Sequence, residues 1–277
     1  MSVYQRRATL FLDLLGFRNL VRNGRESDII DALNVSAHSQ IQYKDAAMSD
    51  FDFRVTAFSD CIVSSVRLLA RNNFMPAAFL ASYGGRLALE MLTRGILVRG
   101  ALTVGNLYHV EQAVFGPALI EAYELESQFA QYPRIVVPRK VYGNLNISLS
   151  ITMGVEWFIE HPPCREDFDG MFHLDIFGPF YIDSRPRTLT LKNSRSIEDL
   201  GGVTTRLVRK LCKPKYKDHR ISTKYEWLRY YLEDCGNRFG WKVGGRPRNA
   251  IFFRARKQKE GKVETELQKP TVNEAEI

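Results

Sequence analysis

The sequence has few cysteines and no long hydrophobic run, and each of these features excludes a class of protein. Its four cysteines are Cys61, Cys164, Cys212 and Cys235. They are far apart, with no C-x-x-C pair and no histidine at zinc-binding spacing, which predicts free thiols rather than a disulfide framework or a zinc site. No apolar segment is long enough to cross a bilayer. The N-terminal segment MSVYQRRATLFLDLLGF contains an acid and no cleavage site, so it does not match a signal peptide. We expect a cytoplasmic protein without a membrane span.

The composition predicts a folded chain with one basic region. Of the 277 residues, 45% are hydrophobic and 12% are aromatic, which is enough to build a core. The net charge of +8 is concentrated between residues 206 and 257. Such a region could bind nucleic acid, anionic lipid or a polyphosphate, or it could be a solvated helical face. The sequence contains no helix-turn-helix, RNP-like or zinc motif, which disfavours nucleic acid as the partner.

The pattern of apolar residues predicts an α+β fold. ATLFLDLL is typical of a buried first strand, and helical spacing follows from Phe17 to about Tyr43. DFRVTAF and CIVSSVRLL form a predicted hairpin around Ser59-Asp60, and FMPAAFLASYGGRLALEMLTRG is a predicted helix. ILVRGALTVGNLYHV with QAVFG predicts two strands around a Gly105-Asn106 bend, followed by the helix PALIEAYELESQFA and the strand RIVVP. The predicted order is β-α-β-β-α-β-β-α-β.

The C-terminal half carries weaker patterns. MFHLDIFGPFYIDS predicts a further hairpin, whose turns would contain Asp175 and Asp183. Two basic helices are predicted near 197–211 and 222–235. We expect residues 1–190 to form the main domain and 191–256 to form a basic helical extension that packs on it or on a partner subunit. The charged segment 257–277 is predicted to be a disordered tail.

Two acids interrupt apolar strands. Asp13 lies in FLDLLGF and Asp60 lies in FSDCIV, at the tip of the predicted hairpin. A buried carboxylate is costly unless a cation compensates it, and two carboxylates at the ends of central strands suit a two-metal phosphoryl-transfer site. The alternative is that both acids cap turns.

The order of these pieces resembles the catalytic domain of class III nucleotidyl cyclases. FLDLLGF, AFSDCIV and VRGALTVG follow one another as the corresponding strands do in that family. VFGPALIEAYELES resembles the next family helix, and PRIVVPRKVYGNL resembles the strand and helix after it. The resemblance covers roughly residues 8–145. It implies a ferredoxin-like β-α-β-β-α-β core with a C-terminal helical extension.

The resemblance implies a role for each matching residue. Asp13 and Asp60 match the metal-binding aspartates, and Leu14 matches the residue whose carbonyl oxygen is a further metal ligand. Leu15, Gly16 and Phe17 match the turn whose N–H groups hold the triphosphate. The implied cofactors are two Mn²⁺ or Mg²⁺ ions per site. The implied reaction is attack of the ribose 3′-oxygen on the α-phosphorus, with pyrophosphate as the leaving group.

Two pairs of positions depart from the family pattern. Ile120 and Glu124 stand where the family has an Asn and an Arg that stabilise the transition state. Arg99 and Arg54 are the candidates to replace that Arg, and for Arg99 a structural ion pair is the alternative. The base-selecting positions carry Thr56 and Ala113, an uncharged pair that matches neither the adenylyl nor the guanylyl set. A hydroxyl satisfies one edge of a pyrimidine, whereas a purine edge would keep unpaired groups.

These departures resemble the pattern of the bacterial pyrimidine cyclases of the Pycsar anti-phage systems. The residues of FLDLLGF, SDCIV and the C-terminal KYEWL add to this resemblance. That resemblance implies a homodimer with active sites at the interface, which makes cyclic UMP or cyclic CMP. UTP is the favoured substrate and CTP the alternative. A separate effector protein would bind the product.

Two rival interpretations remain. Ile120 and Glu124 favour a degenerate cyclase domain that binds a nucleotide without turnover, and the basic C-terminal half favours a nucleic-acid-binding protein. The five histidines are dispersed and suggest no nucleophilic triad. Tyr108 and His109 are candidates to line the pocket.

Overall fold

The central feature of the computed structural model is a mixed sheet covered by helices. The structure describes residues 2–27, 29–30, 33–34, 52–70, 73–153, 163–176, 205–206, 209 and 218–239. The strands are β1 (Gln5–Leu15), β2 (Arg54–Phe58), β3 (Cys61–Arg67), β4 (Leu97–Val110), β5 (Ala113–Phe115), β6 (Ile135–Val137), β7 (Cys164–Glu166) and β8 (Phe172–Leu174). The helices are α1 (Phe17–Arg22), α2 (Met75–Thr93), α3 (Pro117–Phe129), α4 (Arg139–Met153) and α5 (His219–Phe239).

The sheet order confirms the predicted α+β fold. The strands run β2-β3-β1-β4-β6-β8-β7, and β5 pairs with β4 outside this path. The first four strands are antiparallel to their neighbours, whereas β4 and β6 are parallel. The order β2-β3-β1-β4, with helices after β1 and β3, is the ferredoxin-like arrangement that the sequence predicted.

The two faces of the sheet pack against different helices. Leu10, Leu12 and Leu14 point to one face and belong to the main core with residues of α2, α4 and α5. Phe11 points to the other face, where a smaller apolar cluster includes Ala122 of α3. The alternation follows from the two-residue period of a strand. Asp13 has the parity of Phe11, so it lies on the α3 face of the sheet.

The predicted bend at Gly105-Asn106 is wrong. β4 runs without interruption from Leu97 to Val110, and the chain turns at residues 111–112 instead. Gly105 serves close packing, because a Cβ atom there would lie 3.2 Å from the Cβ of Ala118 at the start of α3. The glycine therefore allows α3 to pack closely against β4 and does not mark a turn.

The predicted second basic helix is α5, and it packs against the main core. Trp227, Leu228 and Leu232 of this helix are buried. Asp175, which follows β8, accepts hydrogen bonds from Tyr231 (2.6 Å) and Arg238 (2.6 Å). The charge of Arg238 and these hydrogen bonds outweigh the effect of burial and lower the pKa of the Asp175 carboxyl. Asp175 therefore anchors the helix, which the sequence did not indicate.

A second ion pair, inside the sheet layer, is hydrogen-bonded to the same helix. Arg134 precedes β6 and pairs with Asp167 and Asp169, which lie between β7 and β8. The indole N–H of Trp227 also donates to Asp167, at 2.8 Å. The short strand β7 was not predicted.

Several predicted segments lie outside the described residues. These are most of the segment from 23 to Tyr43, most of the helix near 197–211, the second half of the hairpin that includes Asp183, and the segment 257–277. Within the part of the chain that the structure describes, no helix has the length and apolar character needed to span a membrane.

Candidate metal and nucleotide site

Asp13 and Asp60 lie side by side at one end of the central strands. Asp13 is opposite Cys61 in the β1–β3 pairing, and Asp60 immediately precedes Cys61 at the tip of the β2–β3 hairpin. The Leu14 N–H donates to the Asp60 carbonyl oxygen at 2.8 Å, which ties the end of β1 to this tip. One ligand atom each of Asp13, Asp60 and Cys61 lie within 4.8 Å of one another. The pairing register thus brings together two acids that are 47 positions apart in the sequence.

The guanidinium of Arg99 lies between two carboxylates. Arg99 is opposite Asp13 in the β1–β4 pairing, and its Nε is 2.9 Å from the Asp13 carboxylate. The same Nε is 2.6 Å from Oε1 of Glu126, a residue of α3 that is only 2% exposed. Burial raises the pKa of Glu126, and the charge of Arg99 opposes that rise. Sequence reasoning missed Glu126, although its place in the ELES segment of the quoted helix was the available signal.

The charges of this cluster favour a divalent cation. Arg99 pairs with the carboxylates of Asp13 and Glu126, and a third carboxylate, that of Asp60, lies beside Asp13. Oxygen atoms of carboxylates are the ligands that Mg²⁺ and Mn²⁺ prefer. Burial and the charges of Asp60 and Asp13 raise the pKa of the Cys61 thiol to about 12. The two aspartates fit a hard divalent ion, and Leu14, whose carbonyl is the further predicted ligand, directly follows Asp13 in the chain.

Gly16 shapes the turn beyond the first acid. Its backbone has a φ of 79° and a ψ of 16°, in the left-handed region that favours glycine, and α1 starts directly after it. A Cβ at Gly16 would meet no atom within 4 Å, so the requirement for glycine there is conformational rather than steric. Leu15, Gly16 and Phe17 form this turn, which begins two residues after Asp13 in the chain. Their role toward a triphosphate stays a prediction.

Thr56 lies on the α3 face of the sheet and contacts His109. Thr56 is opposite Val63 in the β2–β3 pairing, and Val63 is opposite Phe11 in the next pairing, so the three share a face. The Thr56 hydroxyl is 3.0 Å from Nε2 of His109. Ala113 begins β5 one residue before Val114, which is opposite His109. The structure thus brings the two predicted base-selecting positions close to one histidine.

Arg54 is separated from Asp13 and Asp60 of its own chain. It is opposite Ser65, four residue pairs along the hairpin from the Phe58–Cys61 pair at the tip. At a rise of about 3.3 Å per residue this is about 13 Å. Its Nε pairs with the Asp52 carboxylate at 2.8 Å. The structure does not bring Arg54 to Asp13 and Asp60.

The two departures on α3 are exposed to solvent. Ile120 is 59% exposed, and Glu124 is also exposed on the same helix. Neither side chain belongs to the cluster around Arg99. The two positions that carry an Asn and an Arg in the resembled family therefore place no side chain beside Arg99 in this chain.

A further cation, Lys224 of α5, interacts electrostatically with Arg99 and Asp13. Burial and the charge of Arg99 lower the pKa of the Lys224 ammonium, and the charge of Asp13 opposes that shift. Lys224 lies in the first half of α5, so this helix contributes a charge that acts on the site. Lys224 was missed as a site residue, although the sequence signal was the KYEWL segment that it begins.

The comparisons with known proteins return solved structures only. No protein-family model matches the sequence, and none of the curated proteins matches it. The adenylyl cyclase CyaB from P. aeruginosa is similar, at 14% identity and a TM-score of 0.44, over 68% of this chain and 98% of that chain. The guanylyl cyclase Cya2 is similar at 12% identity and a TM-score of 0.36, over 51% of this chain and 79% of that chain. A class III adenylyl cyclase-like ATP-binding protein from Pseudomonas aeruginosa has 12% identity and a TM-score of 0.35, over 51% of this chain and 35% of that chain. Function is therefore inferred from the site itself.

Proposed function

We propose that this protein is a metal-dependent nucleotidyl cyclase that converts a pyrimidine nucleoside triphosphate, preferably UTP, to the 3′,5′-cyclic monophosphate. The observation that carries the proposal is the meeting of Asp13 and Asp60 at the end of the central strands, with ligand atoms within 4.8 Å of one another and of the Cys61 sulfur. The excess of carboxylates over cations around them suits divalent ions and a phosphate substrate.

The proposed reaction forms one bond and breaks one. The ribose 3′-oxygen bonds to the α-phosphorus, the bond from that phosphorus to the β-bridging oxygen breaks, and pyrophosphate leaves with its electron pair. The 3′-hydroxyl proton passes to solvent. Divalent ions bound at Asp13 and Asp60 would supply activation of the 3′-hydroxyl and neutralisation of the triphosphate.

Two cationic side chains are the proposed ligands of the substrate phosphates. Arg99 is held by Asp13 and Glu126, so it is a cation already oriented in the site. Lys224 of α5 interacts electrostatically with Arg99 and Asp13, and a primary ammonium is a common ligand of phosphate oxygens. The backbone N–H groups of Leu15, Gly16 and Phe17 are the proposed main-chain ligands of the triphosphate.

We assign a homodimer to the active form. Large apolar side chains are exposed at the hairpin tip beside Asp60 and on α3, the helix that carries Glu126: Phe58 (49%), Ile120 (59%) and Tyr123 (56%). A second copy of the chain would bury this surface, and it would supply the second half of each active site. Gel filtration at micromolar concentration is expected to give a dimer, and a monomer would contradict this assignment.

The uncharged pair Thr56 and Ala113 supports a pyrimidine base. A purine would leave more ring edge unpaired beside these short side chains. We further propose that the product serves as a second messenger in anti-phage defence and acts through a separate effector protein. Residues 1–190 are the proposed catalytic domain, and the basic extension 191–256 completes it through α5.

The test is a product assay with each of the four ribonucleoside triphosphates and Mn²⁺, with nucleotides resolved by mass. The wild-type protein is expected to form cyclic UMP, with less cyclic CMP, and no cyclic purine product. Asp13→Asn and Asp60→Asn should each abolish product. Glu90→Gln is the matched control, because it also removes one carboxylate but lies on α2, which packs against the opposite face of the sheet. Activity that survives in Asp60→Asn would contradict the assigned site.

A nucleotide-binding domain without turnover is the second candidate. The exposed Ile120 and Glu124 favour it, since α3 then lacks the groups that would stabilise the transition state. UTP that binds with measurable affinity, but gives no cyclic product with Mn²⁺ or Mg²⁺, would select this candidate over the cyclase.

A further inference from the structure

A chain of hydrogen bonds runs from the buried Arg7 to the Thr56 hydroxyl. Arg7 Nε donates to Ser65 Oγ at 2.8 Å, and Ser65 Oγ is 2.7 Å from His109 Nδ1. His109 Nε2 is 3.0 Å from Thr56 Oγ1. Arg7 and Ser65 are fully buried, and His109 is 5% exposed. Three strands and the β4–β5 hairpin thus converge on one hydroxyl group of the α3 face.

The direction of each hydrogen bond follows from the donors available. Arg7 carries only donors, so Ser65 Oγ accepts its N–H. The Ser65 hydroxyl must then place its own hydrogen on His109 Nδ1, because a buried hydroxyl without an acceptor is costly. His109 Nδ1 is therefore the acceptor, and Nε2 carries the hydrogen of the neutral imidazole.

The imidazole remains neutral under ordinary conditions. Burial is the main cause that lowers the pKa of His109 to about 4, and the charges of Arg7 and Arg54 contribute to the same shift. The negative charge of Asp52 opposes it. At neutral pH the histidine has a single N–H, and that N–H points to Thr56.

We propose that His109 is a specificity-positioning residue that fixes the Thr56 hydroxyl as a hydrogen-bond donor to the nucleobase, and that this selects uracil over cytosine. Thr56 Oγ1 accepts the His109 Nε2–H, and this is its only hydrogen bond among the described residues. Its own hydrogen is therefore left for a ligand. This inference rests on the proposed function, because it takes Thr56 to face the base.

The donor character of Thr56 discriminates at position 4 of the pyrimidine. Uracil presents a carbonyl oxygen there, which accepts a hydrogen bond, whereas cytosine presents an amino group, which donates one. With uracil, the Thr56 hydroxyl satisfies its hydrogen and the base oxygen together. With cytosine, two hydrogens would face each other, or the hydroxyl hydrogen would turn away and remain unpaired.

The experiment compares kcat/KM for UTP with kcat/KM for CTP across matched variants. The ratio should exceed one in the wild-type protein and fall about tenfold in His109→Ala, as loss of one directed hydrogen bond to the base predicts. His109→Gln should keep most of the preference, because its amide N–H can take the place of Nε2–H. Thr56→Val should lower the ratio as well, and adding His109→Ala to Thr56→Val should lower it no further.

Other outcomes would overturn the inference. These are a wild-type preference for CTP, an unchanged ratio in His109→Ala, or a further fall when His109→Ala is added to Thr56→Val. Should His109→Ala fail to fold, Ser65→Ala tests the same point, since it removes the donor that fixes the imidazole tautomer. Its ratio is expected to fall, and an unchanged ratio would count against the inference.

Failure of the proposed function gives a distinct result. A wild-type protein that forms no cyclic product from any triphosphate refutes the cyclase. The ratio of dissociation constants for UTP and CTP, measured by calorimetry with Mn²⁺ on the same variants, then decides whether Thr56 selects the base. Equal affinity for the two nucleotides in the wild-type protein would overturn the inference.

Discussion

Replacing Arg99 by methionine removes a guanidinium that pairs with two carboxylates of the site. Methionine keeps the length and the apolar stem of the side chain but has no charge. Glu126 then loses a partner at 2.6 Å while its side chain is 3% exposed. Breaking a buried ion pair by removing one partner costs about 3 to 5 kcal/mol. Because the Arg99 and Asp13 side chains are 25% and 17% exposed, water screens part of this loss, and we expect about 3 kcal/mol.

The loss in Arg99→Met should depend on pH. Burial already raises the pKa of Glu126, and replacing Arg99 removes the charge and the hydrogen bond that oppose that rise. A carboxyl group with a raised pKa in the folded state destabilises the protein above that pKa and has no such effect below the unfolded pKa. Between these two values the folded state binds the extra proton, so stability falls as the pH rises. The free energy of unfolding of the variant should therefore approach that of the wild type on going from pH 7.5 to pH 5.

Urea unfolding followed by tryptophan fluorescence measures this effect. The double variant Arg99→Met/Glu126→Gln is the control, because a neutral amide at position 126 needs no compensating charge. It should recover most of the lost stability at pH 7.5. A loss below about 1 kcal/mol in Arg99→Met, or an equal loss at both pH values without recovery in the double variant, would refute the reasoning.

Three further predictions concern stability. Gly100→Ala would place a Cβ atom against the carbonyl oxygen of Phe11, so we expect thermal unfolding to show a loss of stability above about 3 kcal/mol. Gly143→Ala is the contrasting variant: its Cβ would meet no atom within 4 Å, so it should stabilise α4 by up to about 1 kcal/mol. Arg134→Met leaves two buried or half-buried aspartates without their cation and should cost about 3 kcal/mol in urea, and a loss below 1 kcal/mol would contradict the role of this pair. His109 has a folded pKa of about 4 against 6.5 unfolded, so its contribution to stability should fall by about 3 kcal/mol between pH 6.5 and pH 4, and His109→Gln should show a correspondingly shallower decline.

Local patterns in the sequence predicted the elements that hold the acids. The apolar run of β1 and the two β-rich segments around Ser59-Asp60 were enough to predict a strand and a hairpin. Pro76 and Gly95 predicted the start and end of α2, which spans Met75–Thr93. These signals depend on residues close in sequence, so they predict the elements without knowledge of the tertiary structure.

Contacts between distant elements could not be predicted in the same way. The ion pair of Arg99 with Glu126 depends on how α3 lies across β4, and no short-range pattern encodes that packing. Gly105 led to a wrong prediction of a turn. A glycine that allows a helix to pack closely against a strand cannot be distinguished in the sequence from a glycine that bends the strand. The anchoring of α5 by Asp175 depends on residues 56 and 63 positions away.

The sequence pointed to Asp13, Asp60 and Arg99, which the structure brings together, but it did not point to Glu126 or Lys224. Asp13 and Asp60 were recognisable because a carboxylate in an apolar strand is unusual and costly. The link from His109 through Ser65 to Arg7 was not recognisable, since each residue is unremarkable in its own segment. Their relationship arises only where the β4–β5 hairpin folds onto the sheet.

The measurement that tests the central claim most directly is the stoichiometry of products from UTP in the presence of Mn²⁺. Cyclic UMP and pyrophosphate should appear in equal amounts as UTP disappears, and neither should form with Asp60→Asn. Release of inorganic phosphate with UDP, or of UMP with pyrophosphate, would show hydrolysis instead of cyclisation. Either of those results, or unchanged UTP, would contradict the account.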